Sequence, residues 1–484
     1  MGDDKSKGMA TFGVICFGQM VSIFGSAMTQ FALMIWAWEQ TGQATALALI
    51  GFFGFAPNLL MQPIAGALVD RWNRKATIII SDLMAGMGSV IALILYSSGL
   101  LEIWHLFAIA AMVGAFGSFQ FPAYSAAITM LVKKKDYERA TAIWGLAGSI
   151  GGGILGPAMA AILLALIGIS GVLTFDILTF SFAIGMMLLI RIPEPEKARD
   201  IGKGIKGILK DAGYGFKYIF KRKPLLGLQL TYFTSNFFGN MSMILLAPMI
   251  LALTASNELT LATVMSGAAI GSLVGGVTLA VWGGSRNRKI LIIMVGIMIE
   301  GSCQILFGLG TSAVMWVTTG FILSLFGPFI FGSSQAIWQS KVPPNRQGRV
   351  FAARGVIAMA AGAIGMMLAG PMADYVFEPA MAEGGSLVAT FGWLLGTGPG
   401  HGIKLIMVLC GIGSALTAIV ALSIPTIRNV ETIVPDADSP EAMLELYAED
   451  LRRAFRARKL SREKCTELYE KKKAALFAQT EETE

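Results

Sequence analysis

The chain is predicted to be an all-α membrane protein, with twelve transmembrane helices in two pseudo-symmetric six-helix bundles, and three observations carry that prediction. Its 55% hydrophobic and 14% charged residues, with a mean hydropathy of +0.65, are too apolar for a soluble domain. Of its 38 Lys and Arg residues, 37 fall on one side of a bilayer if each long apolar run crosses it, and Lys404 is the exception. Short strings also recur at one offset: Asn73, Arg74 and Lys75 as Asn287, Arg288 and Lys289, and Gly156–Pro157 as Gly370–Pro371, each 214 apart. Gly117, Ser118 and Gln120 recur as Gly332, Ser333 and Gln335, 215 apart.

Taken in order, the apolar runs are 12–38, 44–69, 76–96, 103–132, 140–166, 171–190, 225–253, 259–282, 290–309, 314–340, 350–375 and 403–424. A bilayer core asks for about 20 apolar residues per helix, and none of the runs alternates as a barrel strand would. The first is too long for a signal-peptide core and is expected to stay as an anchor. Basic loops are retained in the cytoplasm, so both termini are placed there. Residues 1–191 form the N-terminal bundle, 192–224 a basic cytoplasmic linker, 225–425 the C-terminal bundle and 426–484 a charged helical cytoplasmic tail. In the linker Ile205, Ile208, Leu209, Tyr214, Phe216, Tyr218, Ile219 and Phe220 interleave with lysines, the pattern of a segment lying on an anionic membrane face. In the tail Ser439 and Pro440 read as a helix start, and Leu444, Tyr447, Leu451 and Phe455 as a stripe that docks on the bundles.

Several function classes are set aside at this stage. Cys16, Cys303, Cys410 and Cys465 have neither disulfide nor metal spacing, so no metal and no cofactor is expected. The net charge of +7 sits in the basic loops, which argues against a nucleic-acid partner. His105 and His401 fall in separate loops without a neighbouring nucleophile, which disfavours an enzyme. Gly151, Gly153 and Gly156 spell a nucleotide-loop string, but inside an apolar helix with no strand before it. Met1, Gly2 and Ser6 fit a myristoylation pattern that a twelve-span protein does not need.

The string GALVDRWNRK, with Gly66, Leu68, Asp70, Arg71, Arg74 and Lys75 between spans two and three, resembles the signature loop of the major facilitator superfamily; Asn73 stands where Gly is usual, and Asn also tolerates a left-handed turn. Val342, Pro343 and 347–351, the string AGPMADYVFEPAM over 369–381, GTGPG over 396–400 and TQFAL over 29–33 are similar to the macrolide and multidrug efflux branch. The resemblance covers all twelve spans. It implies that Asp70, with Arg71, Arg74 and Lys75, locks the halves together on the cytoplasmic side through charge-assisted bonds and helix dipoles, the alternative being that the basic residues only enforce topology. Gly152, Gly156 and Pro157 in span five are similar to the antiporter motif, and tight helix packing explains them equally well.

The resemblance further implies that spans one, four, seven and ten line a cavity. They offer Gln30, Gln120, Tyr124, Asn236, Asn240, Gln335 and Gln339 among several phenylalanines, a neutral lining suited to a large, mostly apolar ligand; the alternative is that some of these amides are helix-to-helix glue. Coupling needs an ionisable group in the spans, and the candidates are Glu300, Asp176, Asp82 and Glu39, with Asp82 alternatively pairing with the nearby basic loop. The arginine that many family antiporters carry in span four is missing. The expectation is a monomeric secondary exporter of hydrophobic or amphipathic small molecules, working by alternating access and proton antiport among the lipids of a bacterial inner or plasma membrane. The alternatives are a lysophospholipid or siderophore-type carrier, and a transport-inactive sensor acting through the tail.

Overall fold

The computed structural model describes residues 6–69, 73–120, 123–124, 148–190, 205–285 and 288–437, with positions 439, 444, 447–448, 451, 463 and 466–473 of the tail. The long helices are α1 (Ser6–Thr41), α2 (Ala44–Val69), α3 (Arg74–Ser97), α4 (Ile103–Gly117), α5 (Gly156–Leu189), α6 (Ile205–Lys221), α7 (Lys223–Leu253), α8 (Glu258–Trp282), α9 (Lys289–Leu309), α10 (Ala313–Lys341) and α11 (Pro344–Met372). Short helices α12 (Glu378–Met381) and α13 (Val388–Leu395) lead to α14 (His401–Ser423), and α15 (Pro425–Arg428) and α16 (Val430–Ile433) follow it. Among the described residues ten stretches are long and apolar enough to cross a membrane, and Ile103–Gly117 is a shorter apolar one. One of the ten, Ser149–Leu189, turns back on itself at Gly168, whose φ of 65° is closed to most side chains. Counting its two limbs separately and adding Ile103–Gly117 makes twelve spans, the number the sequence predicts.

Sequence chemistry explains the joints. Asn73 adopts an extended conformation, φ −62° and ψ 118°, and its side chain accepts from the Ala76 amide as the N-cap of α3; the residue is there for its carbonyl oxygen and not for a left-handed turn. Gly156–Pro157 and Gly370–Pro371, the repeated pair, each lie beside a π-helical turn, Ser149–Leu155 in span five and Ala373–Phe377 in span eleven. In span five Pro157 removes a backbone donor and crowds the Gly153 carbonyl one turn earlier, and the wider turn absorbs the misfit; in span eleven the π turn instead follows Pro371. In α8, Gly271 and Gly275 are one turn apart and let the carbonyls of Phe321 and Leu325 on α10 come in where a Cβ would stand.

The basic loops define one end of the molecule, here the basic end, and the turns near Thr41, Leu253 and Leu309 define the far end. At the far end a single apolar core runs through both sets of six spans, with Met28, Phe31 and Ile35 of α1 packed in one cluster with Leu245 and Met249 of α7, Leu261 of α8 and Met407 of α14. At the basic end the main core among the described residues is built from the second set and the linker helix α6: Ile293 and Ile297 of α9, Ile337 and Trp338 of α10, Val350 of α11 and Ile427 of α15. The two sets touch along α2 against α11 and along α5 against α8.

The linker helix α6 departs from the membrane-face expectation. Its Tyr218 and Ile219 are buried in the basic-end core, Gly215 meets the Arg349 carbonyl of α11, and Phe220 is exposed; the side chains of 205–212 lie outside the described residues. The start of the tail is likewise built in. The Glu431 carboxylate accepts from the Ile290 amide at the start of α9, and the buried Lys341 ammonium reaches the Glu431 carbonyl at 2.5 Å and Asp436 at 2.9 Å. Leu444 and Leu451 of the expected stripe are buried, and Phe455 lies outside the described residues.

Candidate functional site

Because α3 starts at its Asn73 cap, its buried face presents Asp82 and, two turns on, Ser89; α1 presents Gln19 and Ser26 at the same spacing. Two polar nodes therefore stack along the seam between these helices. In the first, Asp82, 3% exposed, accepts from Gln19 Nε2 at 2.6 Å, Gln120 Nε2 at 2.9 Å and the Tyr124 hydroxyl at 3.4 Å. Of the basic loop, the described cation Lys75 bonds elsewhere, to the Leu188 and Ile190 carbonyls. Span one, span three and span four thus meet on one carboxyl, and two residues expected to line a cavity, Gln120 and Tyr124, are instead its donors. In the second node Asp176, 1% exposed, accepts from Ser89 Oγ at 2.6 Å, with Ser26 and Thr179 hydroxyls at 3.4 Å. An unpaired buried carboxylate is costly, and among the described residues neither acid has an ion-pair partner.

The second six spans hold a half-buried cation. Arg354 of α11 donates to Gln335 Oε1 at 2.8 Å and Ser334 Oγ at 2.7 Å, and its guanidinium lies over the rings of Trp338 and Tyr232, 5.5 and 5.8 Å from their centroids. Gln335 is therefore committed to this arginine. Asn236 and Asn240 each donate back to their own helix, to the Tyr232 and Asn236 carbonyls at 2.7 and 2.8 Å, which leaves their oxygens as the groups they turn outward. Gln30 and Gln339 are exposed. Of the remaining acids, Glu300 is half-buried within α9, and Glu39 is exposed at the far end near Glu258.

Asp70 and Arg71 lie outside the described residues, and the side chain of Arg74 does too; Gly66 is in α2 and Arg74 opens α3. Lys75 is placed within its own half, its ammonium on the Leu188 and Ile190 carbonyls at 2.9 and 2.7 Å, where it complements the negative end of α5. Gly152 and Gly156 lie against Ile23 and Ala27 of α1, and the neighbouring Gly153 against Ala269 of α8. Span five is thus wedged between spans one and eight, and Ser266 of α8 donates to the Ile154 carbonyl in the π turn at 3.1 Å.

The residues that most clearly join the two sets of spans are ones the sequence singled out only as part of a string. Asp374, set by the π turn of span eleven, accepts from the backbone amides of Ala44 at 3.0 Å and Thr45 at 2.7 Å, the first residues of α2. A carboxylate on two free amides at the positive end of a helix is a strong cap. One turn later Glu378 does the same for α14, accepting from Gly400 and Ile403 at 2.9 Å. Trp38 adds a bond to Ser256 at 3.2 Å across the same end. The two acids of AGPMADYVFEPAM therefore tie helix starts together, a role visible only once α2 and α14 are in place.

Apolar broken helices in two sets that share a core at one end, with lone carboxyls buried in the first set and a half-buried arginine in the second, define a polytopic membrane transporter. The profile of the Major Facilitator Superfamily matches residues 15–366, and the chain belongs to that family. Among curated relatives, macrolide efflux protein A of Streptococcus pyogenes is 27% identical over 383 residues, 75% of this chain and 90% of its own. The multidrug efflux pump Tap of Mycolicibacterium fortuitum is 24% identical over 75% of this chain and 88% of its own. Among solved structures, a bacterial homologue of the human lysosomal transporter Spinster superposes with a TM-score of 0.64 at 15% identity, over 88% of this chain and 98% of that one. The nucleoside transporter NupG superposes at 0.62 and 13% identity, over 85% and 98%.

Proposed function

We propose that the chain exports hydrophobic or amphipathic small molecules, of the macrolide or multidrug type, by alternating access coupled to proton entry. The observation that carries this reading is the uneven closure of the bundle among the described residues: one apolar core and the Asp374 cap join the halves at the far end, while the described basic-end core is built from the linker helix and the second half. With the basic end in the cytoplasm, as the segregation of Lys and Arg directs, this is a carrier open to the cell interior. Two halves that meet through small residues and a few breakable bonds can rock about the middle. Substrate surfaces are the half-buried phenylalanines of spans one and seven, with Gln30, Asn236 and Asn240 supplying scattered hydrogen bonds.

Asp82 is the group assigned to coupling. It is buried, its donors come from the cavity helices α1 and span four, and any movement of span four changes how many bonds it keeps. Fewer bonds favour the protonated acid, more favour the carboxylate, and that difference converts a proton gradient into a conformational preference. The test is uptake of a labelled macrolide into everted membrane vesicles, with and without a pH gradient. Accumulation that collapses with the gradient is expected; accumulation indifferent to it sinks the antiport reading, and no accumulation of any amphipathic compound tried sinks the export reading.

A further inference from the structure

We infer that Arg354 anchors a binding site for the carboxylate of an amphipathic substrate. This deepens the export reading and rests on its placing of the cytoplasmic opening at the basic end. Arg354 is half-buried over the rings of Trp338 and Tyr232, yet it forms no ion pair among the described residues. A cation drawn out of water in this way needs an anion, or several acceptors, to offset it. It has two, both neutral. Of the five N–H groups of a guanidinium, one on Nη1 goes to Gln335 and one on Nη2 to Ser334, which leaves one on each of its three nitrogens. The neighbours add donors of their own. Gln335 must present Oε1 to the guanidinium, so its Nε2 is turned away, and that amide nitrogen donates to nothing among the described residues. The indole N–H of Trp338, fully buried, also lacks a hydrogen-bond partner. One unmet acceptor is near, Gln229 Oε1, on the amide that donates to the Arg354 carbonyl. Donors therefore outnumber acceptors beside a permanent positive charge.

The cluster borders the space between the halves. On α10, Gly332 faces Leu279 of α8 and Ile330 faces Gly296 of α9. With about 100° of turn per residue, Phe331 and Gln335 fall on neither contact but on the side between α8 and α11. That side is open, since Phe331 is 67% exposed and Gln339, one turn past Gln335, is exposed too. The two sets of spans touch along α8 and α11, so the open side between them looks toward the other half. Tyr232 begins a row on α7 that continues at one-turn spacing with Asn236 and Asn240, the amides of the proposed substrate surface. A substrate whose apolar body lies against the phenylalanines therefore has its head at Arg354, one turn nearer the basic end. The charge count favours a carboxylate. One guanidinium balances one negative charge and its planar N–H array matches two carboxylate oxygens, whereas a phosphate dianion would stay half-neutralised.

The probes are radioactive cholate, an amphipathic carboxylate, and its uncharged methyl ester, bound to the full chain in lipid nanodiscs and counted above the signal of empty discs. Wild-type protein is expected to bind cholate about tenfold more tightly than the ester, about 1.4 kcal/mol for the charge. Arg354→Gln should remove the preference, and Arg354→Lys should keep most of it because the positive charge stays. Gln335→Glu guards against misfolding: it keeps the shape and sets a carboxylate on Arg354 from within, so cholate binding should fall to the level of the ester. Equal binding of the two probes by wild type overturns the site, as does binding of neither. A preference that survives in folded Arg354→Gln, or in Gln335→Glu should that one not fold, overturns it equally. Export is decided separately, by macrolide uptake of the wild type. Uptake without any carboxylate preference would leave an exporter whose Arg354 only ties α11 to α10.

Discussion

Asp82 and Lys404 are opposite solutions to burying an ionisable side chain. Lys404 is the one basic residue off the basic end, yet it is 3% exposed, in the first turn of α14, with its ammonium on the Leu395 carbonyl at 3.0 Å. It therefore presents no charge to the far-side water, and the segregation of basic residues is stricter than the sequence suggests. Replacing it by methionine keeps the volume but strands that carbonyl, at a cost of about 1–3 kcal/mol; a lowered melting temperature in detergent with transport intact is expected. An unchanged melting temperature would mean the ammonium contributes nothing there. Asp82 carries a different expectation. Asp82→Asn keeps the shape and most of the hydrogen bonds but cannot change protonation, so gradient-driven macrolide uptake should fall at least about tenfold while exchange of bound for free substrate continues. If both survive, coupling resides elsewhere, with Asp176, the other fully buried acid, next and Glu300 after it. That Asp82 was legible as a candidate follows from its type, since an acid in an apolar run stands out. Ser26 and Thr179 were not legible, because serine and threonine satisfy themselves on their own helix and occur throughout apolar spans.

Span five shows what a repeat means physically. The shared Gly-Pro pair at positions 156–157 and 370–371 was readable from sequence, but the π turns beside it were not, because a hydrogen-bond register leaves no mark on hydropathy. In span five the glycines are turned to α1 and α8; in span eleven Gly370 meets the backbone of Thr45 at the start of α2. Both broken spans thus lie at the contact between the halves, where helices must slide during the cycle. Gly156→Leu would drive a side chain into Ala27, and overpacking of this kind costs about 1–3 kcal/mol. Reduced yield of folded protein and slower transport are expected together, measured by size exclusion and vesicle uptake. Pro157→Ala separates the two roles: it restores a backbone donor without adding bulk, so folding should hold or improve. If transport is also unaffected, the bend in span five serves packing alone. The linker was misread for a related reason: lysines interleaved with aromatics suit a lipid surface and a protein groove alike, and only the position of α11 decides that Tyr218 and Ile219 enter the protein.

At the scale of the whole molecule, the two acids at opposite ends of the half-to-half contact should act against each other. Asp374 caps α2 from span eleven at the far end. The signature loop places Asp70 at the other end of α2, where the family resemblance gives it the matching bond at the basic end. In the proposed alternating-access cycle each bond would exist only when its own end is closed, so each would stabilise one of two states. Loss of a charged helix cap is worth about 2 kcal/mol, roughly a thirtyfold change in a two-state ratio. Asp374→Ala is therefore expected to open the far end and close the basic end, and Asp70→Asn to do the reverse, slowing transport in both cases while protein still reaches the membrane. Spin labels at Ser256 and at Gln40, both exposed and near the Trp38 contact, report the far end by their separation. Longer distances in Asp374→Ala and shorter mean distances in Asp70→Asn are the expected pair of results. Shifts of the same sign would mean that the two acids hold a single closed state, and the alternation of access would need another pair of contacts. A double variant discriminates further: with both bonds gone the distance distribution should return toward that of the wild type, because the two losses cancel in the equilibrium while the barrier between the states falls.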